Sequence, residues 1–225
     1  MITLYSGLVV KQPLVETVIP AFEESRGVRI ETTFEPTSVL LARIEDGERP
    51  DLLLGVSQSL HALAIRGILD PTALMDIAVS SVGFARPAGT PGPADGSATA
   101  FLQYLTAARS VAYTLSGASG KHFMTVMGER RLLDAIDERA ERFTSGLTAQ
   151  AVADGRCDIA IQQVSELRSV PGDHIIAELP AELQSYGRFA IGARSAAPNP
   201  AVEFVSYLRG ELAQQAFADV GLTPA

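Results

Sequence analysis

Short apolar segments alternate with longer amphipathic segments along the first part of the chain, and this alternation constrains the fold most strongly. ITLYS (2–6), RIETTF (29–34) and DLLLGV (51–56) have the length and composition of strands, and a segment with helical periodicity follows each one. The third is apolar almost throughout, as expected for a strand covered on both faces. Strands alternating with helices predict an α/β fold with mainly parallel sheets flanked by helices.

The alternation starts again in the second part of the chain. VSSVGFAR (79–86) predicts a strand that leaves the first series, and PAGTPGPADGS (87–97) predicts a surface loop. SVAYT (110–114), CDIAIQQ (157–163) and RFAIGAR (188–194) predict further strands. Two series of this kind predict two lobes.

The order of the segments also predicts the lobe boundaries. We expect residues 1–80 and 195–225 to form lobe 1, because the two final helices can return to the first sheet. Residues 81–194 then form lobe 2, and the chain crosses between the lobes near 81–86 and 187–194. Two such crossings are the geometry of a hinge.

The charge of the chain limits its partners. The formal net charge is -8 and the pI is about 4.9. No basic stripe is visible, and nucleic-acid binding requires one, so we expect no nucleic-acid partner. The most charged segment, 129–141, carries both signs and is typical of a solvated helix face. An anionic ligand would have to be held by local dipoles and a few cations.

Cysteine and histidine usage predicts no metal site and no cofactor. Cys157 is the single cysteine and lies in an apolar segment, which predicts a small buried side chain rather than a thiolate ligand. His61, His122 and His174 are scattered, without the spacing of a zinc motif.

No apolar run has the length of a membrane span, and MITLYSG lacks the features of a signal peptide. We expect a protein that is not embedded in a membrane. It is periplasmic or extracytoplasmic if the sequence begins after a removed signal peptide, and cytoplasmic otherwise.

Small polar residues follow the predicted strands where each strand ends. In open α/β sheets, ligands bind beyond the carboxyl ends of the strands, and helix N-termini there offer unpaired N–H groups. The sequence therefore predicts an anion-binding cradle, although each hydroxyl could simply cap a helix. The candidate ligand-binding residues are Ser6, Gly7, Lys11, Thr37, Ser38, Ser57, Ser116, Ser119, Gly120, Lys121 and Gln163.

TLSGASGKHF (114–123) resembles a nucleotide-binding P-loop but does not satisfy its spacing. That motif requires glycine where this chain has Leu115, and serine or threonine where it has His122. The remaining pattern is a strand, a Gly/Ser loop and a helix start, which favours an anion cradle without nucleotide chemistry.

Charged residues near these loops leave two alternatives open. Lys11 and Lys121 either face the ligand or are solvated, and Arg43 is more simply a surface residue. Glu166 is either a cap or first-turn charge of a helix, or an acid–base or selectivity element. Histidine is the residue type most often used as a general base, which makes His122 a candidate.

With these residues in view, the chain resembles the molybdate-binding-protein-like family of solute-binding proteins from ABC importers. The resemblance implies two α/β lobes, a hinge, a monomer, an ABC permease partner, and an oxyanion held in the cleft by hydroxyls and N–H groups. The motifs that carry it are ITLYSGLVVKQPLVETVIPAFEESRGVRI, EPTSVLLARIEDGERPDLLLG, ARSVAYTLSGASGKHF, ADGRCDIAIQQVSEL and NPAVEFVSYLRGELAQQAFADVGL.

By position, Ser6 matches the family's first-loop serine, and Ser38 or Thr37 matches its second-loop serine. The family's late tyrosine is missing from IQQV (161–164), which argues against molybdate itself. The QQVSEL variant resembles a branch that includes aconitate isomerases, which move a double bond in a tricarboxylate.

The resemblance thus favours a binder of oxyanions or small carboxylates, with an isomerase of the aconitate type as the alternative. Lys11 and Lys121 suit carboxylates, and the candidate bases of an isomerase are His122, Glu166 and Lys11. A ligand sensor lacking its DNA-binding part is a third reading, although no helix-turn-helix segment is present.

Overall fold

A computed structural model describes all residues from Met1 to Ala225. The strands are β1 (Ile2–Ser6), β2 (Ile30–Phe34), β3 (Leu52–Val56), β4 (Leu69–Pro87), β5 (Val111–Thr114), β6 (Ala140–Phe143), β7 (Ile159–Gln163), β8 (His174–Glu178) and β9 (Tyr186–Arg194). The helices are α1 (Lys11–Pro13), α2 (Ile19–Arg26), α3 (Thr37–Glu45), α4 (Ser57–Ile65), α5 (Ala98–Ala107), α6 (Ala118–Glu129), α7 (Leu133–Asp137), α8 (Ala149–Ala153), α9 (Val164–Arg168), α10 (Asn199–Tyr207) and α11 (Glu211–Asp219). Short 3-10 turns at Leu8–Val10 and Ala181–Leu183 and a π-helical turn at Leu14–Val18 complete the elements.

The chain divides into two compact units. Unit 1 comprises Met1–Ser80 and Arg188–Ala225, and unit 2 comprises Ser81–Gly187. Each unit combines a mixed sheet with helices, so the predicted α/β class is confirmed. The hinge expected near 81–86 and 187–194 stays a prediction. None of the helices has the length and apolar composition needed to cross a bilayer.

In unit 1, β1 lies between β2 and β3 and runs parallel to both, and β9 pairs antiparallel with β3. Leu4, Leu52 and Leu54 are inaccessible to solvent and belong to one apolar core. Phe22 of α2 meets Phe204 of α10 edge to face, with 4.9 Å between the ring centroids. The terminal helix α10 therefore contributes to the same apolar core as the first three strands.

In unit 2, β7 pairs with β4 on one side and with β5 on the other. It runs antiparallel to β4 and parallel to β5, and β6 continues the parallel order at the edge. The strand β8 pairs antiparallel with β4. Phe84, Phe101, Tyr113, Phe123 and Ile161 form the main core. Cys157 is buried among alanines in a smaller cluster, as its apolar segment predicts.

The first helical region differs from a simple kinked helix. Its hydrogen bonding passes through a 3-10 turn, α1 and a π-helical turn before α2 begins, and Pro20 stands in the first turn of α2. Proline cannot donate a backbone hydrogen bond, so the change of helical pitch before it accommodates the missing donor. Gly27 then ends α2 with a left-handed φ of 63°.

Two strands depart from the sequence prediction. The strand β4 contains 19 residues and begins well before residue 79. The segment 129–141, predicted to be a helix face, contains only the short helix α7 and then enters β6. The strand β6 reads AERF and lies at the sheet edge, where exposed charged side chains are tolerated.

Candidate functional site

Three parallel strands of unit 1 end at the same edge of the sheet and bring hydroxyl groups there. Ser6 is the last residue of β1, while Thr37 and Ser57 begin the helices that follow β2 and β3. The Gly7 N–H donates to the Leu54 carbonyl at 2.9 Å, which ties the loop after β1 to the end of β3. The predicted convergence of these loops is therefore present within unit 1.

Ser6 and Thr37 are held by the backbone around them. The Ser6 side chain is inaccessible to solvent, and its hydroxyl donates to the Gly7 carbonyl at 3.0 Å. The Thr37 Oγ1 accepts the Val56 N–H at 3.2 Å. Because that bond uses Thr37 as an acceptor, its hydroxyl proton remains available for an anion. Ser6 would have to turn its proton away from Gly7 to donate to a ligand.

Ser57 has a partner that argues against an anion-binding role. Its hydroxyl donates to a carboxylate oxygen of Asp76, and His61 Nε2 lies 3.8 Å from the same oxygen. A carboxylate beside the hydroxyl repels an approaching anion and already occupies its donor. Ser57 lies at the correct edge of the sheet, but its contacts are those of a structural bond between α4 and β4.

Lys11 brings a positive charge to this edge. Its Nζ lies 5.7 Å from the ring centroid of Phe34, the last residue of β2. Lys11 is exposed, and Ser38 is partly buried in the first turn of α3. Gly7 precedes the first 3-10 turn, which has no side-chain cap. Arg43 lies apart from these groups, where it forms an ion pair with Glu48.

In unit 2, the loop between β5 and α6 is anchored to β6. The Leu115 N–H donates to the Phe143 carbonyl at 2.8 Å, and the Ser116 hydroxyl donates to the Thr144 carbonyl. Gly117 is the N-cap residue of α6 and supplies no capping side chain. The N–H groups of the first turn of α6 therefore lack the side-chain partner that a helix start usually has.

Ser119 and Gly120 lie in the first turn of α6. Ser119 is only 2% exposed, and its hydroxyl makes no hydrogen bond within the protein. A Cβ atom at Gly120 would lie 1.7 Å from the Thr114 carbonyl oxygen, so only glycine allows the helix to approach β5 this closely. Lys121 is exposed and forms no ion pair. The start of α6 thus offers hydrogen-bond donors, and the ammonium group of Lys121 nearby has no carboxylate partner.

A buried carboxyl group stands at the end of β7. The side chain of Gln163 and that of Glu166 form a capping box at the start of α9, with the Gln163 N–H 3.3 Å from Glu166 Oε2. Burial raises the pKa of Glu166 to about 7, against the opposing effect of hydrogen bonds from Gln163 and Gln162. Gln162 is itself bound to the Thr148 N–H at 2.7 Å. Glu166 therefore caps α9 with a carboxyl group whose pKa burial holds well above its ordinary value.

One ring nitrogen of His122 is engaged by the backbone of a neighbouring turn. Its Nε2 lies 2.8 Å from the Leu183 carbonyl oxygen, in the 3-10 turn at Ala181–Leu183. A ring nitrogen facing a carbonyl must carry a proton, so that nitrogen cannot act as a base. The contact links His122 to this turn and leaves Nδ1 as the ring nitrogen that could act as a base.

Thr114 and Asp76 lie close to these loops, but the sequence did not predict them as site residues. Thr114 was expected only as a strand residue, but its Oγ1 is buried without a hydrogen-bond partner beneath the loop at Gly117–Gly120. Asp76 determines how Ser57 is used, and it lies in the part of β4 that was not predicted. A threonine three residues before a Gly-x-x-Gly spacing is the one local signal that could have indicated Thr114.

The chain is similar to a known protein family and to individual known proteins. The model of the bacterial extracellular solute-binding protein family matches residues 2–223. An aconitate isomerase from a Pseudomonas species is 29% identical over 218 residues, which cover 93% of this chain and 83% of that protein.

Solved structures with the same fold have lower sequence identity. The periplasmic molybdate-binding protein of Azotobacter vinelandii is 18% identical with a TM-score of 0.81, and the alignment covers 100% of each chain. The sulfate-binding protein SubI of Mycobacterium tuberculosis H37Rv is 16% identical with a TM-score of 0.73, covering 100% of this chain and 86% of that one.

Proposed function

Because the chain belongs to the bacterial extracellular solute-binding protein family, we propose that it binds a small anion, either an oxyanion or a di- or tricarboxylate. The family is one of extracellular proteins, and we propose that this chain also works outside the cytoplasm. We further propose that it acts as a monomer and delivers its ligand to an ABC permease.

The start of α6 is the observation that carries the proposal. Its N-cap residue provides no side-chain cap, and the Ser119 hydroxyl has no partner within the protein. Uncapped N–H groups together with the positive end of the helix dipole attract an anion. The exposed ammonium of Lys121 adds charge without an ion-pair partner. These donors suit an oxygen-rich anion.

Unit 1 supplies a second set of donors, and we propose that one ligand engages both sets. The unit 1 residues are Ser6, Gly7, Lys11, Thr37 and Ser38, and the unit 2 residues are Ser116, Ser119, Gly120, Lys121 and Gln163. Ser57 is left out because the partner of its hydroxyl is the carboxylate of Asp76, which would repel an anion. The chain crossings near 81–86 and 187–194 would act as the hinge.

A thermal-shift panel tests the proposal. The anions are molybdate, tungstate, sulfate, phosphate, citrate, cis-aconitate and trans-aconitate, with sodium chloride at matched ionic strength as the control. A ligand at 100 times its Kd stabilises the folded state by about 2.7 kcal/mol, so a true ligand gives a clear rise in Tm. Ser6→Ala and Ser119→Ala are expected to weaken the same anion. Unchanged affinity in both variants would contradict a ligand shared between the units.

An isomerase acting on a tricarboxylate is the second candidate function. The similarity to an aconitate isomerase and the buried carboxyl of Glu166 favour it. In such a reaction a base removes a proton beside the double bond, the double bond moves by one position, and a proton returns at the other end of the allyl system. A carboxyl whose pKa is near 7 can accept and return that proton. Lys11 and Lys121 would hold the carboxylates, and Lys11 is the alternative base.

Proton NMR of trans-aconitate in D2O separates a binder from an isomerase. An isomerase exchanges the allylic protons for deuterium and forms the cis isomer, whereas a binder does neither. Glu166→Gln is expected to abolish exchange, because an amide cannot take up the proton. Its amide oxygen can still accept the N–H bond of the capping box. Lys11→Met tests whether Lys11 is the base instead. If the wild-type protein shows no exchange at high protein concentration, the isomerase is excluded.

A further inference from the structure

Thr114 carries a buried hydroxyl that nothing in the folded chain satisfies. It is the last residue of β5 and is 3% exposed, and its Oγ1 has no hydrogen-bond partner. An unsatisfied buried hydroxyl is costly, and native proteins rarely keep one without a use. The surroundings of the Thr114 hydroxyl therefore indicate what could satisfy it.

The Thr114 hydroxyl lies against the first turn of α6. A Cβ atom at Gly117 would lie 2.7 Å from Thr114 Oγ1, and one at Gly120 would lie 2.5 Å from it. The same Cβ position at Gly117 is 4.0 Å from Ser119 Oγ. The hydroxyls of Thr114 and Ser119 therefore flank a single glycine, and neither has a partner within the protein.

We propose that Thr114 is a positioning residue for the anion at the start of α6, an inference that rests on the proposed function. When Ser119 donates its hydroxyl proton to the ligand, its oxygen becomes a better acceptor. Thr114 then donates to Ser119 Oγ, so that a chain of hydrogen bonds runs from Thr114 through Ser119 to the anion. Thr114 does not touch the ligand, and its hydroxyl is satisfied only in the bound state.

This arrangement predicts opposite effects on the free and the bound protein. Thr114→Val replaces the hydroxyl with a methyl group of similar size, so it removes an unsatisfied polar group from the free protein and raises its Tm by a few degrees. The same change removes the chain of hydrogen bonds in the bound state and weakens the ligand about 3- to 10-fold. Thr114→Ser keeps the hydroxyl but leaves a small void, so it lowers the Tm and retains ligand affinity.

The experiment measures Tm without ligand and Kd for whichever anion of the panel binds the wild-type chain. Thr125→Val is the control, because Thr125 is an exposed residue of the same helix whose hydroxyl bonds only to the Lys121 carbonyl. It is expected to leave Kd unchanged.

Each outcome is decisive. Weaker binding in Thr114→Val, with affinity restored in Thr114→Ser, supports the inference. Wild-type affinity in Thr114→Val overturns the inference alone, and a lower Tm in that variant shows a structural role instead. If the wild-type chain binds none of the anions, the proposed function fails, and the inference that rests on it fails as well.

Discussion

Thr37 and Gly55 are in contact so close that the second residue must be glycine. A Cβ atom at Gly55 would lie 2.9 Å from both Oγ1 and Cγ2 of Thr37. The Thr37 Oγ1 also accepts the Val56 N–H, so the start of α3 and the end of β3 are held together at the proposed ligand edge. The orientation of the Thr37 hydroxyl thus depends on a residue that itself bears no functional group.

Gly55→Ala is therefore expected to displace Thr37, to destabilise the protein by about 1–3 kcal/mol, and to weaken the ligand. Denaturant unfolding and the thermal-shift panel measure the two effects. Gly96→Ala is the control, because no atom lies within 4 Å of a Cβ at that position. Equal stability of the two variants would contradict the contact.

Gly120→Ala and Gly128→Ala should differ in sign, although both glycines belong to α6. At Gly120 the added methyl collides with the backbone of Thr114, which should destabilise the protein and eliminate ligand binding. At Gly128 it meets open space, and alanine in a helix is more favourable than glycine by about 0.5–1 kcal/mol. Thermal unfolding of both variants tests the pair, and a stable Gly120→Ala variant would be inconsistent with the packing of α6 on β5.

Glu166 should make stability depend on pH in a defined window. Its pKa rises from 4.5 to about 7 on folding, so the folded state holds its proton more tightly. Stability from this group is fully present below pH 4.5 and is lost as the pH rises to about 7, by on the order of 3 kcal/mol. Glu166→Gln should be more stable than the wild type at pH 8, with the difference shrinking toward pH 4.5. A difference in Tm that does not change with pH would contradict the assignment.

Ser57→Ala should affect stability without affecting the ligand. Loss of the bond to Asp76 is expected to cost about 1–3 kcal/mol, since a hydrogen bond to a charged group is stronger than a neutral one. The anion affinity should remain that of the wild type, in contrast to Ser119→Ala. Titration calorimetry with the best anion compares the two variants, and a weaker anion in Ser57→Ala would return Ser57 to the ligand-binding set.

The sequence was sufficient for the fold class and the family. The length and apolar pattern of DLLLGV and SVAYT predict β3 and β5 because periodicity is a local property. Family membership follows from motifs spread along the chain, and the predicted resemblance to solute-binding proteins is confirmed. The strand β6 was missed because an edge strand needs no apolar alternation, and β4 was predicted too short because LDPTALMD has the composition of a turn.

What each candidate residue can do was decided only by the tertiary structure. Ser57 and Ser119 look alike in the sequence, since each lies at the start of a helix after a strand. The folded chain gives Ser57 a carboxylate partner from β4 and leaves Ser119 without one. Residues that are neighbours along the chain determine where a strand or helix forms. The partners that occupy or free a hydroxyl come from distant segments, and only folding brings those segments together.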